Sequence, residues 1–338
     1  MSTQTSPQLP LTPHTMLFGH ALTQMMISLH RLDIPRQLAQ QAQDSVTLAK
    51  TLNADLQALQ QYLPIAEQLQ LIEQDTEGRY QLTETGNCLL PDHPMTLISA
   101  LEYTAIGYAA WGELAHNIQT GETAFKKAHG KDIYDYLATH PTENTAINQH
   151  MAHTTEAWLT TAVNRYPFNG HVIDLGGNQG DFSALLLQHY PELHSTVFDL
   201  PQTINSATEV LANAQVTERS TVIAGSFFIS EQIPTTGTHY LFSRILLNWS
   251  DKQVVQILQN CRQAMPIDST LVILEIIQSD DANLGFDIAS LNLLVMFGSR
   301  LRTRESLTDL VTQAGFKAPR WIPASDTLPL YYLEAKPN

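Results

Sequence analysis

Cysteine is scarce in this chain: Cys88 and Cys261 are the only two in 338 residues, far apart and in no metal or redox spacing. That excludes a disulfide framework and a thiolate metal site, and predicts two free thiols in a reducing compartment. Cations are few as well. Eighteen Lys and Arg against 33 Asp and Glu leave a net charge of −15, the wrong sign for nucleic acid or an anionic membrane surface as a partner. No apolar run approaches the ~20 residues of a membrane-spanning helix. The opening MSTQTSPQLPLTPH lacks the cationic start and apolar core of a signal peptide. The expectation is a cytoplasmic protein with no nucleic-acid or membrane partner and no metal. What is present, 43% hydrophobic and 15% charged residues, suits a globular chain long enough for two domains.

The most organised stretch is residues 171–182, HVIDLGGNQGDF. Val172, Ile173 and Leu175 read as a buried strand, Gly176, Gly177 and Gly180 as a turn, and Phe182, Leu185 and Leu186 as the first stripe of a helix. Glycines let backbone approach a ligand without Cβ clashes, and the helix start offers free N–H groups. Such a turn is structural as readily as it is a ligand loop, so the neighbouring carboxylates decide. Asp174 suits a cationic group, an α-ammonium or sulfonium, rather than a pyrophosphate, and the glycine spacing departs from G-x-G-x-x-G. Asp199 ends a second apolar run, STVFDLP, about twenty residues on, where a carboxylate can accept both ribose hydroxyls. Adenosine without phosphates, plus a positive charge, points to S-adenosylmethionine.

Residues 15–90 read as short helices closed by a hairpin. Helices are expected over 16–29, 34–41, 45–52 and 55–69, followed by a two-stranded wing in LIEQDTEGRYQLTETG around Glu77 and Gly78. A winged helix commonly binds DNA, but the second helix of the pair carries Asp55 and Glu67 and no Lys or Arg. Without cations it cannot make the phosphate contacts that such binding rests on. A dimerisation module fits better, with Met25, Met26 and Leu29 packing on a partner chain. Residues 95–166 are helical, and Trp111, Phe125, Tyr134, Tyr136, Met151 and Trp158 are either helix-to-helix core or the lining of a pocket for a flat substrate. His150 and His153, three apart, share a helix face; they are polar surface or a catalytic pair.

Beyond 167, strands and helices alternate as in a doubly wound sheet. Strands are expected at 171–175, 194–199, 220–224, 239–245, 270–276, 318–322 and 329–335, with an amphipathic helix over 251–265. Asp174, Asp199, Ser226 and residues 246–249 all fall at the carboxyl ends of these strands, where ligands of such sheets bind.

These motifs resemble, over nearly the whole chain, the two-domain S-adenosylmethionine-dependent O-methyltransferases of the plant caffeic acid and bacterial natural-product tailoring types. VIDLGGNQGDFS, STVFDLPQTI, AGSFF, SRILLNWSDKQVVQILQNC and GSRLRTRESLTDLVTQAGF follow the family's motifs in order. The resemblance implies an α/β fold: a Rossmann-like, seven-stranded class I methyltransferase domain at 167–338, interdomain helices at 96–166 lining the pocket, and a winged-helix dimerisation domain at 1–95. It further implies a homodimer and cofactor contacts from Asp174, Gly176, Gly177, Gly180, Asp199, Leu200, Ser226, Phe227, Ser243 and Arg244. The implied substrate pocket comprises Trp111, Met151, Leu247, Asn248, Trp249, Met296 and Leu301.

Departures from the family pattern concentrate at the chemistry. Where the family reads Leu-His-Asp-Trp, this chain has Leu246-Leu247-Asn248-Trp249, so Leu247 stands at the general-base histidine. Of two glutamates that orient that histidine, Glu275 remains and the other is Leu301. Ser226 replaces an aspartate that contacts the adenine amino group. Methyl transfer is an in-line displacement in which orientation supplies ~7 kcal/mol or more, whereas general-base assistance adds roughly 10²- to 10⁴-fold. The expected activity is methyl transfer, by proximity, to a small aromatic or enolic metabolite that needs no base. The alternatives are a cofactor-binding enzyme turned to hydroxylation, decarboxylation or pericyclic rearrangement, and a non-catalytic cofactor-binding protein. Glu275, His150 and His153 are the candidate catalytic residues, and a histidine acting as a relocated base would titrate near pH 6 to 7.

Overall fold

The computed structural model describes residues 12–278 and 283–338 and divides into two units, Met1–Ala105 and Ile106–Asn338. In the first unit, Asp44 and Asp55 accept the N–H of Thr47 (2.7 Å) and Ala58 (2.8 Å), capping helices Ser45–Leu52 and Leu56–Gln68. Each such cap is worth ~1 kcal/mol. The wing consists of antiparallel strands β1 (Ile72–Gln74) and β2 (Tyr80–Leu82). Asp75 closes its turn by accepting the N–H groups of Glu77 and Arg79, both at 2.9 Å, and Gly78 adopts φ 75°. Ile27, Leu29, Leu48, Leu63 and Ile72 form the core of this unit.

Two expectations for this unit change. The first helix is split: Thr12 and Thr15 form a capping box on a four-residue helix, Pro13–Met16, and a separate helix spans Gly19–Arg31. Leu29 is not available to a partner chain, because it is fully buried in the core of its own unit. Met25 and Met26 are half-buried, and the exposed apolar side chains of this unit include Met16, Leu17 and Phe18, at 57, 70 and 54%, besides Met95, Leu32, Val46, Ile65 and Leu97.

In the second unit a seven-stranded sheet carries the sites. Its strands are β3 (His171–Leu175), β4 (His194–Asp199), β5 (Ser220–Ala224), β6 (His239–Ser243), β7 (Thr270–Ile276), β8 (Phe316–Pro323) and β9 (Leu330–Pro337). Their order is β5-β4-β3-β6-β7-β9-β8, with β9 antiparallel to both neighbours and the other pairs parallel. The strand order therefore reverses between β3 and β6, the place where such sheets bind ligands. Alternation along the strands divides the core between the two faces. Ile173, Leu175, Leu271 and Ile273 pack with helices Asp251–Ala264 and Arg304–Gln313, while Val172, Val197, Val272 and Leu274 pack with helix Asp181–His189.

Strand β6 stops two residues short of expectation. Arg244 takes a left-handed φ of 55°, an uncommon conformation for a residue with a side chain. The chain turns there into a single 3-10 turn, Leu246–Asn248.

Candidate active site

The first part of the site is the loop after β3. Gly176 and Gly180 have φ of 77° and 83°, and both are needed as glycines. A Cβ on Gly176 would lie 2.7 Å from Ile245, and one on Gly177 would lie 2.9 Å from the Asp174 carboxylate. The loop thus passes directly over Asp174. That side chain is 1% exposed; its Oδ2 accepts from Ser183 Oγ at 2.7 Å, and its Oδ1 is buried with no partner. Burial pushes its pKa up to about 7, with Asp199 and Asp181 adding to the rise and the Ser183 bond opposing it. The loop is tied to β4 by the Asn178 N–H, which donates to Asp199 Oδ2 at 2.9 Å, while the Leu200 N–H donates to Oδ1 at 2.6 Å. Burial raises the Asp199 pKa to about 6 against these bonds. With the Thr203 side chain as a third donor, the carboxylate still keeps lone-pair capacity, so a ribose hydroxyl is a suitable ligand.

Beyond β5, Ser226 Oγ accepts the Phe228 N–H at 3.3 Å, and the Ser226 N–H donates to Gln232 at 2.8 Å. Phe227 meets Trp249 edge to face, with ring centroids 5.8 Å apart. This contact links the β5 end to the second part of the site. The 3-10 turn there is held from two sides. Glu275 on β7, 3% exposed, accepts the Leu247 N–H at 3.0 Å. Arg302, 4% exposed, donates to the Leu246 carbonyl at 2.8 Å, the Trp249 carbonyl at 2.5 Å and Asp251 at 2.9 Å. Burial pushes the Glu275 pKa up to about 8, although Arg302, the Leu247 N–H and Arg244 all pull it down.

Leu247 and Leu301 meet in one apolar cluster with Leu293, flanked by Ile276 and Phe297. They are 9% and 5% exposed. Asn248 donates to Tyr134 Oη at 3.2 Å, and the Tyr134 ring stacks on Trp249 at 5.1 Å and 16°. Met296 is buried against Gly107, and Trp111 donates through its ring nitrogen to Asn292 at 3.2 Å. Phe125, a candidate lining aromatic, is fully buried and stacked on His129 at 4.3 Å, which makes it core.

Helix Pro141–Leu159 carries Met151 and brings His150 and Thr154 to Arg244 at the end of β6, which donates to Thr154 Oγ1 at 3.1 Å. Met151 is half-buried and His153 is exposed. Burial, then His153 and Arg244, push the His150 pKa down to about 4. The titration expected near pH 6 to 7 is therefore displaced, because the imidazole is desolvated beside a guanidinium. Burial likewise lowers Arg244 to about 10 against Glu275 and Asp181. Among the described residues no cluster of three or more His, Cys, Asp or Glu could hold a metal ion, and no helix is long and apolar enough to cross a membrane.

Buried polar atoms without partners gather at this end of the sheet: Asp174 Oδ1, Asn178 Oδ1, Ser243 Oγ, Trp249 Nε1 and Glu275 Oε1. Natural folds rarely leave such groups unpaired, so a cluster of them calls for a ligand or water. Acceptors dominate near the loop, which fits a cofactor carrying hydroxyl and ammonium donors. Sequence reasoning missed Asn178, Ser183 and Arg302. Asn178 carried a signal, since Asn is enriched among residues with left-handed φ, and its φ is 52°.

Residues 111–317 match the O-methyltransferase domain family. The chain is 30% identical over 333 residues to the O-demethylpuromycin-O-methyltransferase of Streptomyces alboniger, covering 96% of this chain and 88% of that protein. It is 29% identical over 326 residues to the phenazine O-methyltransferase of Lysobacter antibioticus, covering 95% and 94%. The solved structure of an N,N-8-amino-8-demethyl-D-riboflavin dimethyltransferase from Streptomyces davawensis is similar with a TM-score of 0.79, at 26% identity and 97% and 100% coverage. The chain therefore belongs to the O-methyltransferase family, as an S-adenosylmethionine-dependent methyltransferase.

Proposed function

We propose that this enzyme methylates a small aromatic or enolic secondary metabolite by proximity and orientation, with no side chain acting as general base. The observation that carries this reading is the cluster of Leu247, Leu293 and Leu301, which leaves no proton acceptor at the family's base position. S-adenosylmethionine supplies a methyl group on a positive sulfur. Asp199 binds the ribose, Asp174 the α-ammonium, and Gly176, Gly177 and Gly180 let the loop close on the cofactor. Leu200, Ser226, Phe227, Ser243 and Arg244 complete its surroundings. On the acceptor side, Leu247, Leu301 and Met151 give an apolar lining, while Asn248 and Trp249 form its polar and aromatic edge; Met296, packed against Gly107, and Trp111, bonded to Asn292, are left out of it. Glu275 is a positioning residue here, because its carboxyl holds the Leu247 backbone.

His150 does not replace the base. A group with a pKa of about 4 is poorly matched to a phenol near pKa 10, and proton transfer works best when the catalyst titrates near the operating pH. A suitable acceptor is already ionised near neutral pH, is a neutral amine nitrogen, or is a carbon made nucleophilic by conjugation. The similarity to a dimethyltransferase whose name specifies nitrogen methylation supports the second class.

The test is to incubate the protein with methyl-labelled cofactor and a panel of aromatic amines, enols and phenols. Label should enter the amines and acidic enols at least tenfold faster than phenols with pKa near 10. Conversion without label transfer, or a preference for simple phenols, would reject the reading. We also propose a cytoplasmic homodimer, supported by the exposed Met16, Leu17 and Phe18 and by two free thiols. Light scattering at micromolar concentration should give about twice the 37.7 kDa of one chain, and a mass of one chain would contradict it.

A further inference from the structure

We infer that the side chain of Asn178 is a cofactor contact in this enzyme, its Oδ1 accepting a hydrogen bond from the α-ammonium of the amino-acid tail. The inference rests on the cofactor reading above and adds to it a residue and the group it recognises.

Asn178 occupies the middle of the glycine loop with φ 52°, a conformation that glycine adopts at less cost. Its backbone is already employed, since the N–H donates to Asp199 Oδ2 at 2.9 Å. The side-chain Oδ1 has no such role. It is buried without a hydrogen-bond partner, as is Asp174 Oδ1. Both sit at one loop: Gly177 packs so tightly over Asp174 that a Cβ there would lie 2.9 Å from the carboxylate. Asn178 is the next residue.

Both orphaned atoms are acceptors, so the missing partner is a donor. The ribose offers hydroxyls, for which Asp199 keeps lone-pair capacity. An α-ammonium has three N–H donors and one positive charge. Asp174 Oδ1 supplies one acceptor and the compensating charge, and Asn178 Oδ1 is a second unpartnered acceptor at the same loop. A charge-assisted bond of this kind is roughly twice as strong as a neutral one, so its loss should weaken binding about tenfold.

Calorimetry on the full-length protein tests this with two ligands. S-adenosylhomocysteine carries the amino-acid tail, whereas 5′-methylthioadenosine keeps the adenine, ribose and thioether but has no ammonium. Asn178→Gly retains the loop conformation and the N–H to Asp199 and removes only the amide. The expected result is about a tenfold loss of affinity for S-adenosylhomocysteine with less than a twofold change for 5′-methylthioadenosine. Any effect of added loop flexibility falls on both ligands and cancels from the difference. An equal loss for both ligands would overturn the inference by moving the amide to the ribose or to loop stiffness, and no loss for either would overturn it outright. If the unmodified protein bound neither ligand, the cofactor reading itself would fall.

Discussion

The two halves of the site lie at the same end of one sheet; each buries a carboxylate with a raised pKa, and they differ in what surrounds it. At the ends of β3 and β4, polar atoms are buried and left short of partners: Asp174 at pKa about 7 and Asp199 at about 6 are carboxylates held in a poor environment for charge. At the ends of β6 and β7, Leu247, Leu293 and Leu301 close against one another; Glu275, pushed up to a pKa of about 8 with one oxygen unpartnered, holds the Leu247 N–H, and Arg302 binds the Leu246 and Trp249 carbonyls and Asp251. The first half resembles a socket waiting for a cation, since perturbed titrations of this kind mark functional sites. The second resembles packed core. On the proposed reading, recognition of the cofactor depends on specific charges, whereas handling of the acceptor depends on shape.

That contrast gives unequal responses to mutation. Asp199→Ala should weaken S-adenosylhomocysteine binding by ~1.5 to 3 kcal/mol, more than tenfold, because the ribose hydroxyls lose a charged acceptor. Unchanged affinity by calorimetry would remove the socket from the first half. Leu247→Ala should cost ~2 kcal/mol of stability through a cavity in a well-packed cluster, read as a lower Tm, with cofactor affinity unaffected. A loss of cofactor affinity without a stability change would mean that the two halves are not separate.

The pH response should also divide. A cation binding beside Asp174 favours its ionised form, so binding releases a proton where the free carboxyl is protonated, below about pH 7. Affinity for S-adenosylhomocysteine should therefore fall about tenfold between pH 8 and pH 6, and Asp174→Asn should flatten that slope. Stability without ligand runs the other way. The folded pKa lies above the unfolded value of about 3.8, so the penalty for ionising Asp174 grows from pH 4 to 7 and is complete above it. Asp174→Asn should raise the Tm at pH 8 by about 2–4 °C; a lower Tm there would mean that the carboxylate is stabilised by contacts of the fold.

How much of this was legible depends on whether a feature is local. The bounds of β3, β4, β5 and β7 follow from apolar runs closed by turns, and the structure keeps them to the residue. The end of β6 was not legible, because Arg244 adopts its left-handed φ in a site whose neighbours come from helix Pro141–Leu159 and from β7. The spacing of His150 and His153 put them on one helix face but carried no information about desolvation or about the guanidinium that approaches from a distant strand. Leu29 looked free because a helix with apolar residues on several sides does not say which side its own unit will cover. Arg302 was missed for the same reason: a buried arginine that binds three groups of a distant turn leaves no pattern in its own segment.

Smaller effects are expected where a substitute base has been suggested. Leu247→His alone should raise phenol methylation by less than threefold, since Leu301 gives the ring no carboxylate to orient it. His150→Gln should change kcat by less than threefold across pH 6 to 9, where the imidazole is already neutral.

The most direct measurement is the pH dependence of kcat/KM for labelled methyl transfer to an accepted amine or enol, compared among the unmodified enzyme, His150→Gln and Glu275→Gln. If no side chain takes a proton, the three profiles at saturating cofactor coincide and bend only at the ionisation of the acceptor itself. A bend near pH 8 that vanishes in Glu275→Gln, or one that vanishes in His150→Gln, with a hundredfold loss of rate, would show that a base is present and that methyl transfer by proximity alone is wrong.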